Sequence, residues 1–402
     1  MRNLTILGST GSIGCSTLDV LRSRRDEFNV FALVAGRNVE LLAAQIVEFK
    51  PQLAVVATES ARASLMSRLH ETGFPVSAWP ELRSGPQARV EAAAAPEVDF
   101  VMSAIVGVAG LEATYAAARL GKTIGLANKE VLVASGKLVT EAARAAGSDL
   151  IPVDSEHNGV HQCLRGGQRN EVTRIILTAS GGPFRGTPKD ELASVTPEQA
   201  LNHPTWKMGK RITIDSATMM NKGFEVIEAC WLFGVAPSEI EVVIHPQSSV
   251  HAMVEFKDGS VLAQISATDM RMPIQYALTY PARASAPVPR LDWQAARHWD
   301  FAPPDLDKFR LLALSYRAQE SGGSATCTMN AADEVAVEAF LEERLSFPGI
   351  SQVVEETLEK VPVRQPLSVG EVLEIDEESR AVARGLIRSL GASSRVRSVA
   401  RV

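Results

Sequence analysis

The stretch LTILGSTGSIG, Leu4 to Gly14, decides the fold. An apolar run stops at Gly8, glycines recur at Gly11 and Gly14, and a helix pattern follows to about Arg25 with Ile13, Leu18 and Leu21 on one face. Glycines let a backbone turn tightly and approach a pyrophosphate, whose charge the free N–H groups and dipole of a helix N-terminus favour. A bare glycine pattern is weak. A strand before it and a helix after it form the context a dinucleotide site requires, the alternative being a tight structural turn.

Working outward, the first 150 residues keep the same rhythm. VFALVA from Val30, LAVVA from Leu53, VDFVMSAIV from Val98 and KTIGLA from Lys122 read as further buried strands. VELLAAQIVEF and GLEATYAAARLG read as helices between them. Short apolar strands alternating with helices imply a mostly parallel, helix-covered sheet with ligand loops at the carboxyl ends of its strands. The fold class expected is α/β, with a Rossmann-like nucleotide-binding domain over 1–150. After DLIPVD the rhythm changes. RIILTAS and EVVIH read as strands, and VHAMVEF and SVLAQIS flank a turn at Asp258-Gly259. These make an α+β domain over 151–284. A proline-rich stretch of sparse periodicity, 285–306, reads as a linker, and helical periodicity from 307 to 402 gives a helical third domain.

Composition sets outer limits. The 402 residues are 46% hydrophobic with a net charge of −6. That balance is that of an ordinary soluble globular protein and argues against binding nucleic acid, which needs a basic face. No apolar run approaches the about 20 residues of a membrane span, and nothing resembles a signal peptide. Cys15, Cys163, Cys230 and Cys327 are scattered without a C-x-x-C pair. They read as packing residues in a reducing compartment, so a cytoplasmic location is expected.

Candidate chemistry lies at three places. The second strand ends VAGRNVE, with Gly36, Arg37 and Asn38 where an NAD binder carries an acid. An arginine there suits a 2′-phosphate, so NADP(H) is favoured over a merely solvated loop charge. In IPVDSEHNGVHQCL, Asp154 and Glu156 stand two apart just past a strand. They are hard-oxygen ligands for Mg²⁺ or Mn²⁺, or Asp154 or Ser155 simply caps the next helix. His157 and His161 share a helix face, but Asn158 stands where a zinc protease needs glutamate, so they read as hydrogen-bonded packing residues. The third place is His203 to Ala229. Ser216, Thr218, Asn221 and Lys222 are donors fit for a phosphate, Glu225 shares a helix face with Asn221 and Lys222, and Ser180 precedes two glycines upstream. Pro204, Trp206 and Gly209 outline a flap over about 200–210 with an exposed tryptophan. Each feature alone fits a polar loop or a capped helix equally well; their density favours a site.

GSTGSIG, AGRNVE, ANKE, VDSEHN, TASGGPF, HPTWKMGKRITIDSATMMNKGFEVIEA, HPQSSVHAMVEF and MNAADE together closely resemble the 1-deoxy-D-xylulose 5-phosphate reductoisomerase family of the non-mevalonate isoprenoid pathway, from about Leu4 to near Leu341. The resemblance implies an NADPH-dependent reductoisomerase that makes 2-C-methyl-D-erythritol 4-phosphate by metal-assisted skeletal rearrangement followed by hydride reduction. It implies Thr10, Gly11, Ser12, Ile13, Gly36, Arg37 and Asn38 on the cofactor, joined by Asn128 and Glu130 at the end of the fifth apolar strand and by Gly209. Metal ligation falls to Asp154, Glu156 and Glu225, with Mg²⁺, Mn²⁺ or Co²⁺ as the ion. The sugar phosphate falls to Lys129, Ser155, Glu156, Ser180, His203, Trp206, Ser216, Asn221 and Lys222. Lys129, Glu156 and His203 are the implied catalytic groups, and a homodimer is the implied assembly. His157 and His161 are not ligands in this family. Two rivals remain: a semialdehyde-type NADPH reductase, which needs a reactive cysteine in the second domain, and a non-catalytic NADP sensor, which needs no carboxylate or phosphate cluster.

Overall fold

The structure, a computed structural model, describes residues 1–206, 208–295 and 297–399, those from 391 on by backbone alone. Seven strands, β1 (Arg2–Leu7), β2 (Phe28–Val34), β3 (Leu53–Val56), β4 (Glu81–Ser84), β5 (Phe100–Ser103), β6 (Thr123–Leu126) and β7 (Leu150–Pro152), form one sheet. The helices α1 (Ser12–Arg22), α2 (Val39–Phe49), α3 (Glu59–Glu71), α4 (Gly85–Ala94), α5 (Leu111–Arg119), α6 (Glu130–Ala146) and α7 (Ser155–Cys163) alternate with or follow these strands. Next come β8 (Val172–Ala179), α8 (Pro197–Leu201), α9 (Lys210–Thr218) and α10 (Met220–Phe233). After them are β9 (Ile240–Ile244), β10 (Val250–Phe256), β11 (Val261–Ile265) and α11 (Arg271–Thr279). The chain ends in α12 (Arg310–Ser321), α13 (Ala325–Leu341), α14 (Phe347–Lys360) and α15 (Val369–Val399).

The first sheet is parallel throughout, in the order β4-β3-β2-β1-β5-β6-β7. Strand order therefore reverses between β1 and β5, and in such sheets ligands bind outside the carboxyl ends at that switch. The core is what the apolar runs imply: Leu4, Ile6, Leu33, Ala54, Phe100 and Met102 are buried between helices. One strand escapes the apolar pattern. β4 is the polar Glu81-Leu82-Arg83-Ser84 at the sheet edge, where Arg83 is tied to Glu81 and Glu91 in place of apolar packing. The ANKE motif thus follows the sixth strand in chain order, which is the fifth apolar one, as expected.

The chain forms two compact units that do not follow chain order. The first comprises 1–131, 139–161 and 269–291; the second comprises 132–138, 162–268 and 292–402. Residues 269–291 rejoin the first unit because α11 buries Ile274, Tyr276, Ala277 and Leu278 in its core, while the Arg2 guanidinium donates to the Leu278 carbonyl (3.0 Å).

The second unit holds a mixed sheet, β11-β10-β8-β9, in which only the β8–β9 pairing is parallel. The expected hairpin is there, with Gly259 at φ +82° in its turn. The segment expected to stand alone as a helical domain shares one core with the helices before it. Ile214 of α9 and Phe224 and Ile227 of α10 belong to the same buried cluster as Leu311, Met329, Phe340, Val353 and Ile387. Part of the expected linker is also anchored: Ala302 bridges Ile244, and the His245 ring stacks on Phe301 at 4.7 Å.

Phe340 is 1% exposed in that shared core. Its truncation, Phe340→Ala, is expected to cost about 3–5 kcal/mol and to speed amide hydrogen exchange in α10 as well as in α13. Unchanged exchange in α10 would break the single core.

Candidate active site

The glycine turn is built for close backbone approach. Gly8 has φ +88°, and a Cβ there would stand 2.5 Å from the Ala104 carbonyl oxygen; a Cβ on Gly14 would stand 2.3 Å from the Gly8 oxygen. Gly11 begins α1 without a side-chain cap, so the first-turn amides beside Thr10, Ser12 and Ile13 are available to an anion. Two buried polar atoms at this edge lack a hydrogen-bond partner: Ser9 Oγ and Asn128 Oδ1, the latter on a side chain whose amide donates to the Gly107 carbonyl (2.9 Å). Buried polar atoms are rarely left so, and both suit a polar ligand along the carboxyl edge. Ser9 was not singled out in the sequence, although it sits inside the glycine motif and directly follows Gly8.

After β2, Gly36, Arg37 and Asn38 are exposed. Asn38 also caps α2, its Oδ1 accepting from Leu41 N at 3.2 Å. The nearest acid in sequence, Glu40, is paired with Arg68 at 2.7 Å.

After β6 and β7 stand Asn128-Lys129-Glu130 and Asp154-Ser155-Glu156. Lys129 is 6% exposed, and its ammonium pairs with the Asp154 carboxylate. Burial pushes the Asp154 carboxyl up, but the Lys129 and His157 charges outweigh it and hold Asp154 well below the usual range. The Ser155 hydroxyl donates to Glu156 Oε2 at 2.6 Å. On α7, His157 is fully buried, whereas His161 Nδ1 meets the Tyr276 hydroxyl at 2.9 Å with its ring edge-on to Tyr276 and Tyr280.

In the second unit two of the expected phosphate residues, Ser180 and Ser216, meet at His203, while Asn221 and Lys222 gather on Glu225. Gly181 (φ +82°) and Gly182 (φ +67°) carry the chain past Ser180, and a Cβ on Gly182 would lie 2.7 Å from the Ser216 carbonyl oxygen. His203 Nε2 lies 3.1 Å from both the Ser180 and Ser216 hydroxyls. Its Nδ1 accepts backbone N–H groups from Thr205 (3.1 Å) and Trp206 (2.9 Å), so the neutral ring carries its proton on Nε2. Trp206 is half-buried, contrary to the exposed tryptophan expected of the flap, because its backbone is drawn onto the His203 ring. Lys207 lies outside the described residues. Gly209 begins α9, and Met219, at φ +65°, separates α9 from α10. In the first turn of α10, Asn221 Nδ2 donates to Glu225 Oε1 (2.6 Å) and the Lys222 ammonium to Glu225 Oε2. Lys222 is 3% exposed and Glu225 fully buried.

The carboxylates of Asp154, Glu156 and Glu225 are hard oxygen donors, each set against a cation or a donor, and their chemistry fits a divalent ion of the Mg²⁺ kind better than a soft one. The cysteines offer no nucleophile. Cys163, Cys230 and Cys327 are buried, and burial pushes the Cys230 and Cys327 thiols up to about 12. Burial of this kind works against the thiolate that a semialdehyde-type mechanism needs.

Burial lowers the His203 pKa from its ordinary 6.5. The neutral ring and the order it gives the 203–206 backbone are therefore present above about pH 6.5 and lost as pH falls through the lowered value. Imidazole ¹⁵N spectra are expected to show the Nε2–H tautomer at pH 7 and a midpoint below 6.5; a midpoint above it would contradict the geometry.

Comparison with known proteins follows the same residues. A family model described as 1-deoxy-D-xylulose 5-phosphate reductoisomerase matches residues 4–136, and models of its C-terminal domains match 150–233 and 265–382. The chain is 67% identical over 386 residues to the 1-deoxy-D-xylulose 5-phosphate reductoisomerase of Solibacter usitatus, covering 96% of this chain and 97% of that one. It is 50% identical over 393 residues to that of Dechloromonas aromatica, covering 96% and 98%. The Zymomonas mobilis enzyme, solved in complex with NADPH, superposes with a TM-score of 0.90 at 46% identity, covering 96% of this chain and 99% of that one. A reductoisomerase solved with NADPH, fosmidomycin and magnesium superposes with a TM-score of 0.90 at 38% identity, covering 97% and 99%. The chain belongs to the 1-deoxy-D-xylulose 5-phosphate reductoisomerase family.

Proposed function

We propose that this chain converts 1-deoxy-D-xylulose 5-phosphate to 2-C-methyl-D-erythritol 4-phosphate with NADPH and a divalent cation, as a step in isoprenoid precursor synthesis. The observation that carries it is the pairing of two anion-holding clusters in one helix–turn–helix. Ser180, His203 and Ser216 meet at the end of α9, and Asn221, Lys222 and Glu225 share the start of α10.

When bound, NADPH supplies the hydride, and the cation supplies the Lewis acidity that polarises the ketone and makes the neighbouring hydroxyl easier to deprotonate. Asp154, Glu156 and Glu225 supply the oxygen ligands. Thr10, Gly11, Ser12 and Ile13 cradle the pyrophosphate, Arg37 meets the 2′-phosphate, and Gly36, Asn38, Asn128, Glu130 and Gly209 complete the cofactor contacts. Ser180, Ser216, Asn221 and Lys222 hold the substrate phosphate. Its binding energy is realised far from the reacting carbons and so serves to orient them. His203 Nε2–H donates into that group, and Trp206 and the 200–210 segment close over the substrate. Lys129 Nζ and Glu156, steadied by Asp154 and Ser155, are placed to move protons at the substrate hydroxyls.

Residues 1–150 carry the cofactor in this reading, 151–284 the metal and sugar phosphate, and 307–402 the supporting helices beyond 285–306. Free thiols suit the cytoplasm, and no described helix is long and apolar enough to cross a membrane. A homodimer is proposed to use β11, an edge strand that leaves Val261 and Leu262 47% and 39% exposed.

The direct test mixes the protein with NADPH, 1-deoxy-D-xylulose 5-phosphate and Mg²⁺ and follows nicotinamide absorbance. Consumption that requires the sugar phosphate and stops with excess EDTA is expected; NADPH binding without consumption would favour the sensor. Glu225→Gln is expected to collapse turnover with NADPH binding intact, and unchanged turnover would remove Glu225 from the ligand set. Arg37→Ala is expected to raise KM for NADPH much more than for NADH, because one charge-assisted contact to the 2′-phosphate is lost. Equal changes would assign Arg37 to solvent.

A further inference from the structure

Arg211 lies in the first turn of α9, two residues after Gly209, which caps that helix. Its guanidinium donates to Glu334 Oε1 (2.6 Å) and Asn330 Oδ1 (3.0 Å), both on α13. It also lies 3.7 Å from the Asp333 carboxylate and 3.7 Å from Asp215, one turn on along α9. Glu334 is gripped from its other oxygen by Arg380 of α15, which binds Asp376 at 2.6 Å. Arg211, Glu334 and Arg380 are each 15–18% exposed, and Asp333 is fully buried.

A buried polar chain of this size costs more in desolvation than apolar packing would, so its value lies in fixing geometry. No step of the proposed reaction uses it. What it fixes is α9. Asp215 precedes Ser216, whose hydroxyl meets His203 Nε2 at 3.1 Å, and His203 in turn orders the Thr205 and Trp206 backbone. The apolar face of α9 packs in the shared core through Ile214 and Ala217, while Gly182 presses on the Ser216 carbonyl and Arg211 fixes the opposite end with directional bonds. A planar guanidinium reaches two acceptors on α13 at once, which an ammonium cannot do with the same geometry. Burial and then the nearby Asp215 carboxylate push the Asp333 carboxyl well above the usual range.

We propose that Arg211 is a positioning residue for the sugar-phosphate half of the site: by pinning the first turn of α9 to Asn330 and Glu334 it sets the Ser216 hydroxyl and the His203 ring in register to receive the substrate phosphate. The proposal rests on the reading above that Ser216 and His203 serve that phosphate.

The test compares the wild-type protein with Arg211→Met, Arg211→Lys and Glu334→Gln, using NADPH, 1-deoxy-D-xylulose 5-phosphate and Mg²⁺. Arg211→Met is expected to raise KM for the sugar phosphate by roughly tenfold to a hundredfold, with KM for NADPH unchanged. Arg211→Lys should fall between it and wild type, and Glu334→Gln should shift KM in the same direction by less. The His203 imidazole ¹⁵N resonances should move in Arg211→Met. A folded Arg211→Met with wild-type sugar-phosphate KM and unmoved His203 resonances would overturn the proposal. So would a fall in kcat alone with both KM values unchanged, the mark of a mere loss of folded enzyme. If Arg211→Met does not fold, Glu334→Gln decides by the same comparison. If the wild-type protein consumes no NADPH, the catalytic reading fails on its own, and the His203 resonances then decide for or against Arg211.

Discussion

A carboxylate taken out of water stays ionised only beside a positive charge or strong donors, and the arrangement of this molecule's candidate site depends on that constraint. Asp154 meets Lys129, and Glu225 meets Lys222, each pair inside its own compact unit. Buried ion pairs of this kind are poor stabilisers, since their mutual attraction scarcely repays desolvation and an apolar pair of similar volume often does better. Retaining them makes sense where the carboxylates are wanted as ionised oxygen ligands. Lys129 holds Asp154 well below the usual carboxylate range, and Asn221 on Glu225 and Ser155 on Glu156 fix the direction in which their oxygens point.

The same logic of prepared geometry governs the uncharged parts. Gly8 and Gly14 are set by contacts under 3 Å that any side chain would violate, so the backbone itself can lie against a pyrophosphate. Gly182 presses onto the Ser216 carbonyl in the second unit and ties the Ser180 turn to α9. His203 completes that turn by using both ring nitrogens, one to accept from the backbone and the other to face two hydroxyls. Protonation at Nδ1 would remove two hydrogen bonds at once, which is why a buried, neutral ring is the state compatible with this loop.

What the sequence disclosed and what it hid follow from the range of the forces involved. Gly8, Gly11 and Gly14, the Arg37 strand end and the Asn221–Glu225 face were legible because each is local: a turn, a strand terminus, one helical repeat. The assignment of Lys129 and of the three ligands came from family resemblance, because spacing alone left Asp154 as either a ligand or a cap. β4 was missed because an edge strand needs few apolar residues, and Trp206 was misjudged because its burial depends on backbone bonds to His203. The shared core of α9, α10 and the C-terminal helices was hidden for another reason. Periodicity shows that a helix has an apolar face and does not show which helix covers it.

The Arg211 network is the extreme of that last case. Its partners stand 119 and 123 residues away, so no local pattern announces them, although MNAADE was noticed as a motif. A segment that first reads as an appended helical domain thereby takes part in ordering a loop and a serine far earlier in the chain. The shared apolar core makes the C-terminal helices integral to the second unit, and the Arg211 network adds direction to that packing. α9 carries Ser216, which meets the His203 ring, so the placing of both depends on how stiffly its first turn is anchored. α13 and α15 supply that stiffness through charged, directional bonds where purely apolar contacts would let α9 slide, because apolar packing resists separation more strongly than it resists small shifts in register.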